Sequence, residues 1–306
     1  VESQTHSNAI RTMFLKNIDL ITVSNDKTIK IWDLKNYQLK NTLYGHIGVG
    51  YAGRLNYAAY NQNINKLAVS GDLAENQENY EMYKIRIYDM NSNKIYKTIE
   101  NHEGIVSHLE FTADGKYLII GFTYPFYHFS IFETKDFNLV NDIKITERYD
   151  GRKYYKINKL KIIKKNDDYL VVTVSDQGDI DIYSKKQNKI SNSINIQKEI
   201  TSLLVDKNNI YIGYDKGLEK YDLNLNLQQK VFLEHNLTFM NELNKQTLLI
   251  CSETVCFQYD KKSLAFIKKI FANTDSISTA LIFDENTIIT PFGKNQEIAL
   301  INFKTN

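Results

Sequence analysis

The chain has 306 residues, with 38 Lys and Arg against 36 Asp and Glu and a formal net charge of +2. A balance this even makes no electrostatic case for nucleic acid or an anionic membrane surface, and no apolar run approaches the ~20 residues of a membrane helix. At 42% hydrophobic and 12% aromatic the chain can bury a substantial core, and its abundant Tyr and Ile favour strands.

Only two Pro and 13 Gly occur, so the turns must lean on Asn, Asp and Lys; Asn and Asp tolerate the left-handed backbone that Gly otherwise supplies. The first residue is Val1 rather than Met. The sequence is therefore expected to lack its native start and to be one module of a larger protein. A cytoplasmic location is the expectation, since no secretory signal is visible.

In chain order, Ala9–Leu15, Asp19–Ser24, Thr28–Asp33 and Gln38–Leu43 read as four short strands, with a turn at Asn25-Asp26-Lys27. The third contains Ile29-Lys30-Ile31-Trp32-Asp33, which holds the only Trp. Degenerate copies place Tyr88, Phe132, Tyr183, Tyr221, Tyr259 and Ile301 at the Trp32 position, at intervals between 38 and 56 residues. Later units begin near Arg54, Ile105, Ile157, Ile200, Leu237 and Ile277. Repeats of this period, each with several short strands, predict an all-β propeller of seven four-stranded antiparallel blades in one domain, 1–306. The last unit runs out after three strands, so Val1–Thr5 is expected to supply its fourth and close the ring.

Ser24-Asn25-Asp26-Lys27-Thr28-Ile29-Lys30-Ile31-Trp32-Asp33-Leu34 closely resembles the WD-repeat signature. Tyr44-Gly45-His46 is similar to its Gly-His step, and Phe111-Thr112-Ala113-Asp114-Gly115-Lys116 to its first turn. The resemblance implies that His6, Ser24, Asp26 and Trp32 form a buried structural tetrad in which His bonds Asp and a hydroxyl relays to the indole. Those residue types also suit catalysis, but a buried Trp N–H wants an acceptor, which favours the structural role. His46, His102 and His235 fall at the His6 position, Asp215 at the Asp26 position, and Ser70 and Ser175 at the Ser24 position. No later unit has the full set. The run Gly45–Asp89 also looks like WD-repeat regions of bacterial multidomain proteins, some fused to a caspase-like peptidase or another effector. That likeness implies a sensing or scaffolding role.

Other motifs fail on context. Gly48-Val49-Gly50-Tyr51-Ala52-Gly53 fits GxGxxG, but a strand follows it where a dinucleotide site needs a helix. His102-Glu103 is followed by Val106, so the zinc-protease pattern is broken. Cys251 and Cys256 flank a short turn and read as two small buried apolar residues rather than a disulfide. Asn236-Leu237-Thr238 is a glycosylation sequon of a kind that arises by chance. No catalytic, cofactor-binding or metal-binding residue is assigned.

Three long loops stand out: Asp72–Tyr83, Phe122–Tyr127 and Thr146–Tyr155. Long loops on a rigid scaffold carry function, and aromatic and Arg side chains anchor interfaces. Tyr80, Tyr83, Tyr124, Phe126, Arg148, Arg152 and Tyr154 are therefore the candidate partner-binding residues. The expected function is a non-enzymatic, monomeric scaffold or sensor that binds a protein or peptide through blades two to four. The alternative is an enzyme or small-molecule binder using a central channel, which needs converging carboxylates, histidines or a metal.

Overall fold

The structure is a computed structural model. It describes residues 5–45, 50–71, 84–100, 105–123, 128–145, 157–273, 277, 279–293 and 296–303. Among them are 27 strands in seven antiparallel sheets, six of four strands and one of three, with no helix. Each sheet is a meander, its strands paired in chain order. The fold class is the seven-bladed β-propeller.

The chain divides into two units, 1–157 and 158–306. The first holds blades one to three (10–44, 55–100 and 106–144). The second holds blades four to seven (157–195, 200–232, 239–272 and 281–302), apart from Ile157, the first residue of blade four. Within a blade the strands are called A to D. Blade one is Ile10–Lys16, Asp19–Ser24, Thr28–Asp33 and Gln38–Tyr44. Of the expected closing strand Val1–Thr5, residues 1–4 lie outside the described residues. Thr5 is a bend whose carbonyl accepts a hydrogen bond from Lys30 Nζ at 3.0 Å.

Strands B and C supply the core. Ile21, Val23 and Ile29 are fully buried, and they pack with Leu55, Leu67, Val69 and Tyr88 of blade two. In the second unit Ile180, Ile182, Ile210 and Ile212 do the same for blades four and five. Each such side chain contributes roughly 1.5–3 kcal/mol by leaving water. Strand D is the exposed edge, alternating toward solvent in blade five.

Two features repeat with the signature. Trp32, Tyr88, Phe132, Tyr183, Tyr221 and Tyr259 each sit opposite an apolar residue of strand B: Leu20, Leu67, Leu118, Val171, Ile210 and Leu248. At all six, the pairing with strand D slips by one residue just before the aromatic position. An extra residue on the edge strand bends and twists it.

The turn from C to D then needs a positive φ. It falls on Tyr37, Asn93, Phe137, Asn188, Leu225 and Leu264. Asn is present as expected, but Asp is absent from this conformation among the described residues. Asp serves as an acceptor instead. Asp33 Oδ1 accepts from the N–H of Lys35 at 2.8 Å, and Asp89, Asp222 and Asp260 cap the same turn in their blades. The bulky left-handed residues are offset by burial: Phe137, Leu225 and Leu264 are at most 7% exposed, whereas Tyr37 is 71% exposed. Gly50 and Gly53 take positive φ in the turn before strand A of blade two (Leu55–Asn61), so the GxGxxG stretch leads into a strand.

Cys251 and Cys256 are fully buried, as expected, but they are joined as a disulfide, which corrects the reading of two separate thiols. They end strand B and begin the ladder of strand C in blade six, directly opposite each other. That opposition is a property of the register, which spacing alone does not specify.

Candidate functional site

The four polar residues singled out in blade one meet in space, with one exchange. His6 Nδ1 lies 2.7 Å from Asp26 Oδ2, and His6 Nε2 lies 2.7 Å from Thr22 Oγ1. Trp32 Nε1 donates to Thr22 Oγ1 at 2.9 Å. Thr22, not Ser24, is the hydroxyl relay. Ser24 Oγ instead donates to the Asn8 carbonyl at 2.9 Å and accepts the Asp26 N–H at 3.0 Å, which ties down the B–C turn. The chain of bonds is complete when the proton is on Nδ1: Nδ1–H to Asp26, the Thr22 hydroxyl to Nε2, the indole N–H to Thr22.

His6, Thr22 and Ser24 are at most 2% exposed. Burial raises the Asp26 pKa, but the hydrogen bond and charge of His6, with the Thr28 hydroxyl and the Ser7 N–H, outweigh it and hold the carboxyl below its ordinary range. Thr28 Oγ1 donates to Asp26 Oδ1 at 2.6 Å. Each polar side chain here has a partner within the protein, which is the pattern of a structural network.

The seven candidate partner-binding residues, Tyr80, Tyr83, Tyr124, Phe126, Arg148, Arg152 and Tyr154, all lie outside the described residues, as do His46 and His102. His235 is described but exposed, and its ring stacks on Phe257 at 5.5 Å rather than entering a tetrad. Asp215 is exposed. Ser70 and Ser175 are buried, and Ser175 Oγ accepts the Gln177 N–H as Ser24 accepts that of Asp26. No group of His, Cys, Asp and Glu that could hold a metal is present among the described residues.

A cleft of about 360 Å³ opens in the second unit, at blades five and six. Phe232, Phe257, Tyr259 and Phe266 line it with His235 and Glu234. Phe266 meets Phe257 and Tyr259 edge-on, with centroids 6.2 and 5.7 Å apart. Burial and the nearby Glu234 charge together raise the Tyr259 pKa. Sequence reading missed this cleft because its rings come from different strands of two blades, at no regular spacing.

Residues 2–33, which carry the tetrad, match the family model of the WD domain, G-beta repeat. Blade one is a WD repeat. A 40-residue stretch is also 45% identical to myosin heavy chain kinase C of Dictyostelium discoideum. That stretch is 13% of this chain and 5% of the kinase, so the chain spans a small part of that relative. WD-repeat propellers typically serve as protein-interaction scaffolds and are generally non-enzymatic.

The WD repeat decays along the chain for a visible reason. Register places Val69, Ile120, Thr173, Ile212, Ile250 and Thr290 at the Thr22 position of later blades. Where Thr173 persists, the aromatic is Tyr183, whose hydroxyl reaches Asn188 at 2.6 Å instead. Blade five builds a different network. Glu219, 4% exposed, accepts hydrogen bonds from Tyr214 at 2.7 Å and from Tyr221, and pairs with Lys230 at 3.0 Å and Lys198 at 3.4 Å. Burial raises its pKa, but the two tyrosines and two lysines prevail and hold it at about 2. The same contact and burial push Tyr214 up to about 12. Glu219 sits at the Lys30 position, and an acid two residues before an aromatic was the available signal.

Proposed function

We propose that the chain is a non-enzymatic protein-interaction module that captures a protein or peptide through the loops 72–83, 122–127 and 146–155 of blades two to four. The observation that carries this reading is the commitment of the blade-one network. His, Asp and Thr are the residue types of acid–base and nucleophilic chemistry, yet here each is consumed in one buried chain ending on Trp32. The best-preserved part of the chain is therefore a brace for the scaffold. Specific recognition falls to the long loops, where tyrosines and arginines supply rigid anchors.

The test is affinity capture from cells of the source organism. The wild-type chain is compared with a variant carrying Tyr80→Ala, Tyr124→Ala, Arg148→Ala and Tyr154→Ala. The expected result is a partner retained by the wild type and lost by the variant at equal thermal stability. A variant that retains every wild-type partner at full yield defeats the assignment of this face.

A further inference from the structure

We propose that the cleft of blades five and six is a second docking surface, for a peptide segment in which an Arg or Lys lies beside an apolar residue. The argument starts from exposure. Phe232 is 82% and Phe266 57% exposed. A single exposed Phe is ordinary. Here two of them converge with Phe257 and Tyr259 on one concavity. Its volume of about 360 Å³ is at the small end of ligand-binding clefts, a size for a few side chains rather than a domain.

The charge of the lining chooses the occupant. Glu234 is the one charged side chain of the lining, and no cation is paired with it among the described residues. Its field reaches the Tyr259 hydroxyl. Lys230, whose ammonium lies 5.5 Å from the Phe232 ring centroid, is committed to Glu219 at 3.0 Å. The cleft therefore offers aromatic faces, which attract cations, beside a carboxylate whose charge is not offset. A guanidinium or ammonium on an apolar stem complements both, and a guanidinium can also stack on the rings. An acidic peptide meets the wrong charge, and a purely apolar one leaves Glu234 without a partner. This surface shares no residue with the loops of blades two to four, and its assignment does not rest on theirs.

The test uses the whole chain and fluorescence anisotropy. The probe is a fluorescein-labelled heptapeptide with a central Arg between two leucines, alongside twins with citrulline or Glu in place of Arg. Saturable binding of the Arg probe is expected, with the citrulline twin about fivefold weaker, as befits one exposed cation–aromatic contact and one exposed ion pair. Glu234→Gln should abolish that preference. Phe232→Ser should weaken the Arg and citrulline probes alike. Both residues are exposed, so Trp32 emission and the melting temperature should stay at wild-type values. The four-alanine loop variant should bind the probe as the wild type does. The proposal is overturned by an Arg probe that does not saturate, by equal binding of the citrulline twin, by a Glu234→Gln variant that keeps the preference, or by loss of binding in the loop variant.

Discussion

Trp32 Nε1 donates to Thr22 Oγ1 at 2.9 Å, although Trp32 lies opposite Leu20 in the ladder. Thr22 is the diagonal neighbour, two residues along strand B on the same face, within reach of a long side chain. Ser24 is four residues along from Leu20, roughly 13 Å at strand rise, and beyond the indole. Thr22→Val preserves shape but leaves the indole N–H and His6 Nε2 without their bond. An expected loss of about 2–3 kcal/mol follows from two buried polar groups left unsatisfied. Ser24→Ala should cost about 1 kcal/mol, because its partners border the turn. Urea denaturation followed by the emission of the single Trp checks both and reports on blade one.

Acid should unfold blade one through Asp26. Its carboxyl is held below the ordinary value of about 3.9. A depressed pKa contributes stability that is present above the unfolded value and lost as pH falls through the folded one. Asp33, Asp89, Asp222 and Asp260 shift the same way, through the hydrogen bonds of their turns and, for Asp89, first through Lys66. Stability should therefore be flat from neutral pH to about pH 5 and fall below it. Asp26→Asn should be less stable at neutral pH and show a shallower acid limb in Trp32 fluorescence.

Tyr37 carries the left-handed backbone of its turn, φ 55°, with little burial in return. Tyr37→Asn should stabilise by about 0.5–1 kcal/mol, since Asn visits this region at low cost. Phe137→Asn, at the equivalent turn of blade three, should destabilise by about 2–4 kcal/mol, because that ring is 2% exposed and part of the core. Opposite signs at equivalent turns, read by chemical denaturation, are the check.

Glu219→Leu removes the shared acceptor of Tyr214 and Tyr221 and leaves two lysines facing an apolar group. A loss of about 2–4 kcal/mol is expected, discounted for the partial exposure of both lysines. Adding Tyr221→Phe should recover part of that loss. A double-mutant cycle by urea denaturation measures the coupling.

The disulfide closes only a short hairpin, so replacing both cysteines with Ala should cost no more than about 2 kcal/mol. Thiol titration of the unfolded, unreduced chain should find no free cysteine.

Much of the fold was legible because a strand repeat is a local pattern. The Trp32 copies marked strand C of every blade, and in blade one the bounds Asp19–Ser24 and Thr28–Asp33 match the structure. The start of each later blade was foreseen to within a few residues. The candidate site was legible only in part. His6, Asp26 and Trp32 come together as their types suggested, but the relay was misplaced because Thr22 and Ser24 share one face of strand B, and only the register with Trp32 decides which hydroxyl is near enough to the indole.

By itself, the sequence determined the fold class, the number of blades and the residue types of the blade-one brace, since each rests on periodicity and short-range chemistry. Only the tertiary structure decided that Thr22 serves Trp32, that the two cysteines face each other, that Glu219 braces blade five, and that Phe232, Phe257, Tyr259 and Phe266 share one cleft. These depend on ladder register and on the packing of neighbouring sheets. A one-residue slip in register moves every side chain to the other face, and the linear order of residues does not record which strand will lie beside which.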